Sequence, residues 1–143
     1  LVEWICLEEA DEAIENSKNY ETWQEGILAV FETLKKEKVF VRNIYRSSPR
    51  EVLTNYLYKT VYPLLYAVVE EEAVGLTVRP EDKEFVTHFY KYAFVGLLLD
   101  WVANDMSAEP KEMVGELAVT IKGTFRRALE NCDRRSRGNN GKE

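Results

Sequence analysis

Histidine occurs once in this sequence, at His88, and that count limits the chemistry the chain can hold. One imidazole cannot build a two-histidine zinc or di-iron centre, and the paired Glu-x-x-His motifs of carboxylate bundles are missing. The two cysteines, Cys6 and Cys132, stand near opposite ends, so a disulfide framework and a four-thiolate zinc site are excluded by number. Ser47 and Ser48 have no histidine near them in sequence. Neither a nucleophile elbow nor a glycine-rich phosphate loop is present. Acyl and phosphoryl transfer therefore have no carrier, and no catalytic residue, metal or cofactor is expected.

What remains is aromatic. Tyr58, Tyr62 and Tyr66 recur every four residues, and Phe85, Phe89 and Tyr92 make a second stripe, with His88 between its members. Aromatic stripes at helical spacing most often fill a core. Each buried phenol, however, needs a hydrogen-bond partner, and an interior rich in hydroxyls also suits a cavity with polar fittings. His88 has the same two readings, a hydrogen-bonded histidine or a polar contact in a ligand cavity. Cys6, on an apolar helix flank, reads as packing. Asp100, inside an apolar run, reads as a rim or interfacial contact and not as a base.

The elements that must position these residues are helices. Residues 1–16 form an acidic amphipathic helix, and Asn16-Ser17-Lys18-Asn19 is a turn. A second helix starts near Glu21, with Ile27, Leu28, Phe31 and Leu34 on one stripe and lysines at its end. Val39–Tyr45 is assigned to a short helix, because a lone strand would have no partner. Ser48, Pro49 and Glu51 read as a cap, a first-turn proline and a capping box opening a long helix to about Ala73, kinked at Pro63. Pro80 opens another long helix whose second half, Tyr92 to Ala103, is apolar nearly all round. A last helix from about Pro110 carries Val114, Leu117, Ile121, Phe125 and Leu129. The fold class is all-α, a bundle of about six helices, with residues 1–132 as one domain and 133–143 as a disordered polar tail.

Composition agrees with a folded, soluble domain: 45% hydrophobic, 31% charged, in 143 residues. The net charge of −6, from 19 Lys+Arg against 25 Asp+Glu, gives no long-range attraction to phosphate backbones or anionic lipid. The cysteine usage suits a reducing cytoplasm. No apolar run reaches the roughly 18–20 residues of a membrane span. Arg126, Arg127, Arg134, Arg135 and Arg137 form a basic end, explained by cations at a helix C-terminus.

A helix that is apolar on both sides needs cover on both. It is either the central helix of a single-chain bundle or the interface of a dimer, and the second reading is preferred. The candidate dimer residues are Phe94, Gly96, Leu97 and Trp101 with Val114, Leu117, Ile121 and Phe125, Gly96 permitting close backbone approach.

Phe40-Val41-Arg42-Asn43-Ile44-Tyr45, the Ser-Pro turn, and above all the run Phe89 to Val102 followed by Asp105-Met106-Ser107 and Pro110-Lys111-Glu112-Met113 carry a family likeness. The chain resembles the C-terminal domain of TetR-type transcriptional regulators, nearest the subgroup that regulates dihydroxyacetone kinase operons. The resemblance implies a helix-turn-helix domain ahead of Leu1, absent from this sequence and the sole route to DNA. It implies homodimerisation through the last two long helices. It further implies a small-molecule effector pocket lined by Trp4, Phe31, Tyr45, Tyr58, Tyr62, His88 and Tyr92, which would act by changing the separation of the two DNA-reading heads. The competing expectation is a helical protein–protein interaction domain with a filled core and no pocket.

Overall fold

The computed structural model describes residues 23–47 and 50–140, and over these the chain forms six α-helices. They are α1 (Trp23–Lys36), α2 (Lys38–Arg46), α3 (Arg50–Glu72), α4 (Pro80–Ala103), α5 (Pro110–Ile121) and α6 (Thr124–Asn140). The acidic helix expected over residues 1–16, the Ser48-Pro49 cap and Trp4 lie outside the described residues.

Helix α1 buries Ile27, Val30, Phe31 and Leu34, which recur every three or four residues on one face, and ends in Lys35 and Lys36 at the negative end of its dipole. Helix α2 occupies the segment whose β-branched residues suited a strand, and places Val41 in the core. Helices α3 and α4 share the largest packing interface. From α3 come Leu53, Leu57, Val61, Leu64, Leu65 and Val69. Pro63 sits on the exposed side of this continuous helix, where the carbonyl it leaves unpaired meets water.

Arg79 in extended conformation and Pro80 in the first turn start α4. Its buried face runs Asp82, Val86, Tyr90, Phe94, Val95, Leu98, Trp101 and Val102. Its end is a Schellman turn: the Met106 N–H reaches the Trp101 carbonyl at 2.8 Å and the Asp105 N–H reaches Val102 at 3.1 Å. Asp105 there takes a left-handed conformation (φ 65°). Its carboxylate binds Arg42 Nε at 3.1 Å, tying α2 to the end of α4.

The structure corrects the sequence reading at the C-terminal end in two respects. The single helix expected from Pro110 is two, broken at Gly123, whose φ of +77° is open to glycine and strained for other residues. The tail expected to be disordered from residue 133 is the continuation of α6 to Asn140. Asp133 is buried and accepts hydrogen bonds from the Thr77 N–H at 3.1 Å and Arg137 Nε at 3.0 Å. Likewise, Arg126 donates to the Glu72 and Val74 carbonyls at 2.6 and 3.0 Å, closing the end of α3. Arg126 and Arg135, which donates to Asp82 at 2.7 Å, thus tie α6 of the basic end to the rest of the bundle.

Candidate functional site

Two surfaces of the α3–α4 pair carry the candidate functional residues. On the first, the four-residue spacing of α3 sets Tyr58, Tyr62 and Tyr66 in a row along the seam with α4, opposite His88 and Tyr92. Tyr58 meets Tyr92 edge to face with ring centroids 5.4 Å apart. Tyr62 lies 5.0 Å from His88 and stacks at 6.0 Å on Tyr66, and His88 stacks on Tyr92 at 6.2 Å. The Lys91 ammonium sits 4.7 Å from the Tyr58 ring centre and 4.5 Å from that of Tyr92. Burial, and secondarily the charge of Glu84, raises the Tyr62 pKa. A hydrogen bond with Glu70, ahead of burial, raises that of Tyr66. Both phenols are therefore protonated donors at neutral pH.

Four of the predicted ligand-binding residues, Tyr58, Tyr62, His88 and Tyr92, are thus brought together along the α3–α4 seam. Phe31, the remaining described member of the set besides Tyr45, lies apart from the seam. It is fully buried, edge-on to Trp101 at 4.9 Å, and serves the core. Tyr45 is half-buried against the core. Lys91 was missed, although it lies between the buried positions Thr87 and Val95 of the same helical stripe, where a lysine is out of place.

The second surface is the exposed face of α4, adjoining Tyr92. Phe85 and Phe89, expected to face the interior, are 74% and 62% exposed, and the strip continues through Ala93, Gly96 and Leu97. A Cβ built on Gly96 meets nothing within 4 Å, so this stretch presents open, shallow backbone. Of the predicted dimer residues, Gly96 and Leu97 lie on this strip. Phe94, Trp101, Val114, Leu117 and Phe125 do not: all five are buried within one chain, at most 7% exposed. Trp101 donates its indole N–H to the Ala108 carbonyl at 2.8 Å, and Phe125 stacks on Tyr90 at 4.0 Å. Ile121 is half-buried against the core. Periodicity identified both faces of α4 as apolar but could not say which one the monomer covers.

A groove of about 530 Å³ runs beside the strip between α4 and α6, lined by Phe85, Phe89, Ala128, Cys132 and Arg135. A second cleft, of about 390 Å³, lies between α1, α3, α5 and the start of α6, lined by Trp23, Val68, Ala118 and Arg126. Neither is lined by the tyrosine cluster. Among the described residues no group of histidine, cysteine and carboxylate side chains is arranged to hold a metal ion, and no helix is long and apolar enough to cross a membrane.

A family model described as the C-terminal region of transcriptional regulators, of the TetR type, matches residues 21–123. The chain belongs to this TetR family. No curated protein and no solved structure matches it. The matched TetR region takes in α1 to α5 and ends at the Gly123 break, so α6 with its clamp residues lies beyond it. TetR-type regulatory domains are not enzymes.

Proposed function

We propose that this TetR-type domain binds a small-molecule effector and pairs with a second copy of itself, as the regulatory part of a cytoplasmic transcription factor. The observation that carries the pairing is the strip Phe85, Phe89, Ala93, Gly96 and Leu97. Large rings exposed at one end and small residues at the other suit two α4 helices crossing closely about a two-fold axis, with α6 completing a four-helix contact. Covering a phenylalanine ring is worth about 1.5–3 kcal/mol, and a symmetric dimer covers the ring of each of its two copies.

Effector binding is supported by the seam of Tyr58, Tyr62, His88 and Tyr92. Hydroxyls, an imidazole and ring faces together give a small, partly apolar molecule both stacking area and hydrogen bonds. In a regulator with a DNA-reading domain ahead of this one, an effector that prefers one setting of α3 against α4 would alter the spacing of the two reading heads. DNA would be contacted by that domain alone. The filled contact of Phe31 with Trp101 favours the other reading, an oligomerisation domain without a pocket.

Light scattering across a range of concentrations, with thermal-shift screening of small molecules, tests both halves. A stable dimer whose melting temperature rises with a ligand supports the proposal. A monomer at every concentration removes the pairing, and a dimer blind to all ligands leaves the pocketless reading.

A further inference from the structure

Among the described residues, three charged side chains are buried: Asp82, Asp133 and Lys91. The two carboxylates have guanidinium partners, Asp82 in Arg79 and Arg135, and Asp133 in Arg137. Lys91 is 8% exposed and takes part in no ion pair of the described residues. Its ammonium instead faces the rings of Tyr58, Tyr62 and Tyr92, at 4.7, 5.8 and 4.5 Å.

Ring faces offset part of the charge but accept little from the three N–H donors of an ammonium, so the group relies on the water that reaches its open side, which an anion can displace. The place is accessible from one side, because Tyr92 is half-exposed. It is also polarised along its length. Glu70 and Glu84 act on Tyr66 and Tyr62 at the far end of the seam, whereas the Tyr58–Tyr92 end has the cation. An elongated ligand would settle with its negative group at Lys91 and its apolar part along the rings of Tyr62 and His88.

We propose that Lys91, with Tyr58 and Tyr92, is the receptor for the anionic group, carboxylate or phosphate, of a small organic effector. This rests on the effector-binding reading above and gives that effector a charge class. Exchange of ring contacts for an anion at the ammonium would also release Tyr58 and Tyr92 from Lys91, loosening one end of the α3–α4 seam.

The test is a titration of the chain at constant ionic strength with benzoate and with phenyl phosphate, with benzyl alcohol and benzylammonium as neutral and cationic controls. Tyrosine ring and lysine ammonium resonances are followed by NMR. Saturable shifts at Tyr58, Tyr92 and Lys91 with either anion are expected, at least about tenfold weaker in Lys91→Met and retained in Lys91→Arg. The exposed Tyr92→Ala variant, whose fold does not depend on removing a buried group, should weaken the same shifts. Equal binding by Lys91→Met and Tyr92→Ala, tighter binding of benzylammonium than of benzoate, or no saturation by either anion overturns the proposal. A neutral compound that raises the melting temperature of wild type and Lys91→Met alike, with both anions inert, would sink the Lys91 receptor and leave the effector reading standing.

Discussion

Asp82, in the first turn of α4, accepts a 2.7 Å hydrogen bond from Arg135, 53 residues later near the end of α6. Arg79 holds the same carboxylate from the other side at 3.0 and 3.1 Å. The Arg79 hydrogen bond, followed by the charges of Arg79 and Arg135, keeps Asp82 below the usual carboxylate range against the opposing effect of burial. Asp82→Asn should therefore lower stability at neutral pH by about 1 kcal/mol, the arginines being half-exposed and partly screened.

The pH dependence of that loss has a defined sign. A carboxylate with a depressed folded pKa contributes fully above its unfolded value of about 3.9, and the contribution fades as pH falls through the folded value. Asp133 is depressed as well, first by its Arg137 hydrogen bond. Denaturation at pH 7 should show the gap between wild type and Asp82→Asn at its widest. The gap should begin to close near pH 4 and vanish at lower pH; a gap unchanged at pH 2 would refute the ionic account.

Removing the chain after Asn131 deletes Asp133, Arg135 and Arg137 together. The truncated chain should melt at a lower temperature than the full chain and gain amide exchange at Thr77, whose N–H loses its acceptor. A truncation without effect on either would return residues 133–143 to the solvated tail that composition first implied.

Phe89→Asp places a charge on the exposed strip of α4 and gives up only an edge-to-face contact with Tyr90. If that strip is the dimer surface, scattering should give the monomer mass, with dimer dissociation raised about a hundredfold or more and helicity unchanged. Conversely, Phe31→Ala should leave the oligomeric state alone and cost about 3–5 kcal/mol, as expected for a fully buried ring against Trp101.

Gly123→Ala addresses the break between α5 and α6. An added Cβ meets nothing within 4 Å, so the loss comes from the backbone alone, about 1–2 kcal/mol for a left-handed φ. A neutral or stabilising result in thermal melts would mean that α5 and α6 can join into one helix.

The amino-acid order by itself determined the helical character, the start of α4 at Pro80, the absence of a catalytic constellation and the TetR likeness. These rest on local signals, namely periodicity, a proline that can only begin a helix, and counts of histidine and cysteine. Which side of α4 faces inward was not local. Phe85, Phe89 and Leu97 are as apolar as Phe94, Leu98 and Trp101, and only the packing of the other helices around α4 decides between them. The fate of the basic end was likewise tertiary. Asp133 and Arg135 look like solvated tail residues until Thr77 and Asp82, more than 50 positions away, supply their partners. Lys91 became legible for the same reason: a charge acquires meaning from what surrounds it, and its three rings come from two different helices.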